Sequence, residues 1–143
     1  MQTLGLRASQ KGLKLIYRVG PEIPRELVGD SGRIRQIILN LIDNAIKFTP
    51  QGGVVVLRCE GENHDVRITV HDTGEGIPEE HLSRVFDRFY RVDKARSREM
   101  GGTGLGLSIA QTIVNAHGGK IELESAPGQG TTCVVTLPVK GPL

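Results

Sequence analysis

The stretch "DSGRIRQIILNLIDNAIKF", Asp30 to Phe48, carries two stripes where an ordinary helix carries one. Successive helical residues turn by about 100°. Ile34, Ile37, Ile38, Leu41, Ile42 and Ala45 then share one broad apolar face that suits a core. Asn40, Asn44 and Lys47 fall on a second line, roughly 130° around from the apolar centre. Asparagine is a mediocre helix former, because its amide competes for backbone groups. Two of them one turn apart, beside a lysine, make a column of carbonyl oxygens and one cation. Such oxygens suit a hard cation such as Mg²⁺, which keeps much of its water and leans on phosphate oxygens. The ammonium suits the phosphate itself. The same column also fits a solvated polar face with no ligand. Asp30 or Ser31 can cap the start of the helix, and Thr49-Pro50 ends it.

Working outward, "LKLIYRV" (Leu13 to Val19) alternates apolar and polar and reads as a strand. "GGVVVLRCEG" and "DVRITVHD" read as two more strands, joined by "ENHD" in a hairpin. "PEEHLSRVF" reads as a short helix with Pro78 suited to its first turn. "RVDKARSREMGG" has no apolar period and reads as a charged loop. "LGLSIAQTIVNAH" reads as a second long helix, ended by Gly118-Gly119. "KIELESA" and "TTCVVTLP" complete the strands, with "PGQG" turning between them. The expected fold is therefore α/β, with a sheet of about five strands and its helices on one face. The alternation within the strands leaves the other face to solvent.

Two glycine motifs flank the charged loop. In "HDTGEGI", Asp72 stands at a strand end before Gly74 and Gly76. A carboxylate placed there can accept a hydrogen bond from a ligand amine, such as that of adenine, while the backbone turns sharply. Plain turn chemistry explains the same residues. In "GGTGLGLSIA", glycines at 101, 102, 104 and 106 open a helix. The Walker pattern is absent, because the only Gly-Lys, Gly119-Lys120, precedes Ile121 and has Val114 where the first glycine belongs. The dinucleotide fingerprint fails as well, since position 107 is Leu and no strand precedes it. What remains is a helix start whose backbone N–H groups favour an anion, with glycines that let phosphate come close. Arg91, Lys94, Arg96 and Arg98 precede it, so the segment reads as a mobile lid over a polyphosphate or as a flexible surface loop.

The chain has 143 residues and a net charge of +2, which fits one domain and gives no argument for nucleic acid. Aromatic residues make up 3%, so the core must be aliphatic. No apolar run approaches the roughly 18 residues of a membrane helix, and no signal peptide opens the chain. Cys59 and Cys133 lack metal-ligand spacing and read as reduced packing residues of a cytoplasmic protein.

Taken in order, "NLIDNAIKFTP", "DTGEGI", "FDRFYRVD" and "GGTGLGLSIA" resemble the catalytic ATP-binding domain of bacterial sensor histidine kinases, from about Leu13 to Pro138. That family shares its ATP fold with DNA gyrase, the ninety-kilodalton heat-shock chaperone and the mismatch-repair ATPase. The resemblance implies a two-layer α/β sandwich, its mixed, mostly antiparallel sheet backed by about three helices. It implies ATP and Mg²⁺ as cofactors. Asn44 would hold the metal, with Asn40 beside it, and Lys47 would touch the phosphates. Asp72 would bind the adenine amine, with Gly74, Gly76 and Ile77 shaping the pocket. Phe86 and Phe89 would anchor a lid over residues 89–102, and Arg91 would reach the γ-phosphate. Gly102, Thr103, Gly104, Leu105, Gly106 and Leu107 would hold the phosphates.

The resemblance also says what to look for elsewhere. The family's phosphoacceptor is a histidine followed by an acidic residue on a dimerising helix. His64 precedes Asp65 in a turn, and His71, His81 and His117 have no such context. The chain thus reads as a single catalytic domain, residues 1–12 being the remnant of a connection from a separate dimerisation domain. The implied partners are that histidine-bearing domain and a downstream response regulator. The isolated domain would be a monomer, and the longer parent a homodimer with room for an inner-membrane anchor. Relatives that hydrolyse ATP carry a Glu as general base where this chain has Asn40, and an amide cannot take a proton near neutral pH. That favours phosphoryl transfer to a protein. A serine-directed kinase of the anti-sigma type and a non-catalytic nucleotide-binding module are the alternatives.

Overall fold

The computed structural model describes residues 2–20, 31–62, 65–90 and 106–138. In chain order the elements are α1 (Gln2–Lys11), β1 (Lys14–Val19), α2 (Ser31–Phe48), β2 (Val54–Glu62), β3 (Asp65–Asp72), α3 (Glu79–Leu82), α4 (Gly106–Ala116), β4 (Lys120–Ser125) and β5 (Thr131–Pro138). The strands form one five-stranded sheet in the order β1-β2-β3-β5-β4. β1 runs parallel to β2, and every other pair is antiparallel. The mixed, mostly antiparallel sheet implied by the resemblance is therefore present.

Alternation decides which face is covered. On β3, Val66, Ile68, Val70 and Asp72 are buried. They stand level with Leu137, Val135, Cys133 and Thr131 of β5. Val55 and Leu57 extend this inner face onto β2, and Ile37, Leu41, Ile42, Ala45, Ile113 and Val114 cover it from α2 and α4. Almost all of this core is aliphatic, as a chain without Trp requires. Burial raises the Cys59 thiol and pushes Cys133 up to about 12, so both stay protonated packing groups.

α1 and α4 end in the same way. Gly12 and Gly118 take φ values of +77° and +72°. The amide after each reaches back across the last turn, Leu13 to the Ala8 carbonyl and Gly119 to the Val114 carbonyl, at 2.9 Å in both cases. This is a left-handed glycine stop, completed at α1 by burial of both Ala8 and Leu13. The sequence marks this stop at Gly118, and Gly12 carries it too: residues expected only as a connecting remnant form a helix.

The helix expected over Pro78–Phe86 is a second difference. Only Glu79–Leu82 is α-helical. Beyond it, the amides of Arg84, Asp87 and Tyr90 each donate to the carbonyl three residues back. Three residues per turn stacks side chains at i and i+3. Arg84 accordingly pairs with Asp87 at 3.3 Å, and its Cζ lies 4.7 Å from the Tyr90 ring centre.

Candidate functional site

The Asn40 side chain reaches out of α2 to the start of α4, where its Nδ2 donates to the Gly106 carbonyl at 3.3 Å. Two motifs that lie far apart in sequence are thus neighbours in space. Asn44 stands one turn further on, half-buried, and no hydrogen bond links its side-chain amide to another described residue. Lys47 follows, with its Nζ 3.2 Å from Oδ2 of Asp43. Asn40, Asn44 and Lys47 thus follow one another along α2, and beside Lys47 stands a carboxylate, Asp43, that the sequence does not single out.

Asp72 occupies the last inward position of β3 and is 7% exposed. Burial is the main influence on its carboxyl and raises its pKa above the ordinary value. The amides of Gly74 and Thr131 and the neighbouring His71 oppose that rise without cancelling it. The Gly74 amide donates to Oδ1 at 2.8 Å. A methyl group on Gly74 would lie 2.5 Å from the Phe48 carbonyl oxygen, so this turn presses on the C-terminal end of α2.

Gly76 has φ +77°, and a Cβ there would sit 1.9 Å from the Ala126 carbonyl oxygen. Only glycine meets both demands. The close approach belongs to a contact between two turns. Gly128 N–H donates to the Glu75 carbonyl at 2.6 Å, and Ile77 N–H donates to Ser125 Oγ at 2.7 Å. Ser125 Oγ in turn donates to the Gly130 carbonyl at 2.8 Å. "PGQG", expected only to turn between β4 and β5, thus also holds the Gly76 turn. Its glycines at 128 and 130, both with positive φ, were the available hint of a second task.

Gly106 opens α4 and Leu107 packs against the core, both half-buried. Phe86 is half-buried, whereas Phe89 is 67% exposed with φ +63°, and the lid that both are expected to anchor lies outside the described residues. The hydroxyl of Tyr90 is hydrogen-bonded to Nδ1 of His81. Arg91, Lys94, Arg96, Arg98, Gly102, Thr103, Gly104 and Leu105 lie outside the described residues, as does the expected lid beyond Tyr90.

The other described histidines are also engaged. Nδ1 of His71 is 2.7 Å from Thr132 Oγ1, and Nδ1 of His117 is 2.9 Å from the Ile113 carbonyl oxygen. Among the described residues, no group of three His, Cys, Asp or Glu could hold a metal ion, and no helix is long and apolar enough to cross a membrane.

Comparison with known proteins bears on this geometry. The chain is 50% identical over 113 residues to the sensor histidine kinase WalK of Bacillus subtilis, an alignment covering 78% of this chain and 18% of that protein. It is 48% identical over 110 residues to the sensor protein SrrB of Staphylococcus aureus, covering 76% of this chain and 19% of SrrB. It therefore spans less than a fifth of these curated relatives. Among solved structures it is similar to full-length ShkA in complex with AMPPNP, with a TM-score of 0.84 and 33% identity, covering 96% of this chain and 28% of that one. A family model matches residues 29–141, from just before α2 to beyond β5. The chain belongs to the histidine kinase-, DNA gyrase B- and HSP90-like ATPase family.

Proposed function

We propose that this chain is the ATP-binding catalytic domain of a sensor histidine kinase. It moves the γ-phosphoryl group of Mg-ATP to a histidine on a separate dimerisation domain. The observation that carries the reading is Asn40: an amide donating to the Gly106 carbonyl stands where a hydrolytic relative would hold a general base. Water is not activated from that position, and the phosphoryl group is kept for a protein acceptor. Catalysis is then mostly positioning and charge neutralisation. The names of WalK and SrrB and the AMPPNP complex of ShkA support the same reading.

Asp72 accepts the adenine amine, and Gly74, Gly76 and Ile77 shape the pocket around it. Asn44, with Asn40 beside it, supplies amide oxygen toward Mg²⁺. The donors fit a cation that arrives with the nucleotide, because the column offers two amides and no cluster of carboxylates, leaving the remaining places to phosphate and water. Lys47 and Arg91 act at the phosphates, with the glycine segment from Gly102 to Leu107. Phe89 lies at the edge of the nucleotide site, where the 89–102 lid begins. Residues 1–12 connect to the dimerisation domain, and a response regulator receives the phosphoryl group afterwards.

The test mixes this chain with labelled ATP and a histidine-bearing dimerisation domain. Acid-labile, base-stable label on that domain is the expected result. Acid-stable label would turn the chain into a serine-directed kinase, and ATP binding without any transfer would make it a nucleotide-binding module.

A further inference from the structure

Arg7, Asp43 and Lys47 form a row in which one carboxylate serves two cations. The Arg7 guanidinium pairs with Oδ1 of Asp43, while Lys47 Nζ lies 3.2 Å from Oδ2. α1 is tied to α2 a second time beside this row. Lys11 Nζ donates to the carbonyls of Ile46 and Lys47, each at 2.8 Å, which are last-turn acceptors without helical partners. Arg7, Gln10, Lys11, Ile46 and Lys47 line an opening of about 380 Å³. Its cations already have partners within the protein, so it reads as a clamp between helices and not as an anion pocket.

α1 (Gln2–Lys11) lies outside the residues matched by the family model. The row therefore joins a helix beyond the family domain to the lysine assigned to the phosphates. We propose that Asp43 is a positioning residue through which docking of α1 sets how freely Lys47 can leave for a phosphate. The inference rests on the reading of Lys47 as a phosphate contact.

The physical reason lies in what Lys47 leaves behind. The side chain of Asp43 is 28% exposed, but its Oδ1 is shut off from solvent and has no hydrogen bond among the described residues, so Asp43 relies on the charges of its neighbours. With α1 docked, Arg7 still neutralises Asp43 when Lys47 swings away. With α1 undocked, Lys47 is the remaining partner in the row. The pair also has its favourable order, acid four residues before base, so Lys47 stays. Docking of α1 thus favours release of Lys47, and undocking retains it.

Calorimetry on the chain with ATP and with adenosine tests this. Arg7→Gln should weaken ATP by about threefold, the scale of a part-exposed ion pair, and leave adenosine unchanged. In an Asp43→Asn background the same Arg7→Gln change should have no effect. NMR supplies a readout without nucleotide: the Lys47 ammonium protons should exchange with water more slowly in Arg7→Gln than in the unmodified chain. Equal weakening of ATP and adenosine would mean general loosening and would overturn the proposal. Persistence of the effect in Asp43→Asn, or unchanged Lys47 exchange, would overturn it too. Failure of the unmodified chain to bind ATP would instead sink the nucleotide reading, while the exchange measurement still decides the coupling.

Discussion

At the Asp72 turn, backbone groups fix the geometry. Gly74, Gly76 and Gly130 leave no room for a side chain, and main-chain bonds join two turns. On α2 the geometry depends on side chains that stand half in solvent, paired by charge across a helix and between helices. One half of the site is therefore steric and buried, and the other is electrostatic and adjustable. Steric constraints fail abruptly and ignore salt. Ion pairs between part-exposed groups weaken gradually and are screened.

The largest effect should come from breaking the rigid half. Gly76→Ala forces a methyl group to within 1.9 Å of the Ala126 carbonyl oxygen at φ +77°. A loss of about 2–4 kcal/mol is expected, read as a lowered thermal midpoint. A midpoint within a degree of the unmodified chain would show that the two turns separate easily.

Asp72→Asn should come next. It replaces a buried charged acceptor, and ATP affinity should fall by about 10- to 100-fold with discrimination against GTP reduced. Unchanged affinity and unchanged discrimination would remove Asp72 from the adenine site.

The raised Asp72 pKa gives this half a pH signature of known sign. A carboxyl whose folded pKa exceeds its unfolded value stabilises the fold while protonated, and loses that contribution as pH rises through the folded value. On the proposed reading, in which Asp72 accepts the adenine amine, the ionised carboxylate is the stronger acceptor, so ATP binding should run the other way. Between the ordinary value of 3.8 and the raised one, acidification should weaken ATP binding while the Asp72 contribution to stability grows. Paired melting and binding series in the unmodified chain and Asp72→Asn would show it. An identical pH dependence in both proteins would rule the carboxyl out.

The adjustable half should respond more modestly. Lys47→Ala should reduce ATP affinity by about tenfold with adenosine unaffected, and the salt dependence of ATP binding should shrink. A loss shared equally by adenosine would assign Lys47 to packing. Smallest is Ser125→Ala, which removes the hydroxyl bridging Ile77 and Gly130 and should cost about 1 kcal/mol in chemical denaturation.

Periodicity alone exposed the apolar stripe of α2 and the strand alternation, because both follow from repeat distances fixed by local backbone geometry. The same periodicity set Asn40, Asn44 and Lys47 on one line, and elimination of two phosphate loops isolated the glycine run. Burial of Asp72 was beyond that reach. Alternation puts position 72 on the face of Val66, Ile68 and Val70, but whether the end of that face is closed to solvent depends on β3 lying between β2 and β5, with Val55 and Thr131 level with Asp72. Nothing local singles out Asp43 either, since its partner Arg7 comes from a helix distant in sequence. Contact between the Gly76 and Ala126 turns is likewise a product of chain return, so no local pattern announces it. The sequence by itself determined the two long helices, the five strands and the residue types they carry. Only the tertiary structure decided which carboxylate is buried and which is shared, because desolvation and charge pairing depend on neighbours that the chain brings together by folding.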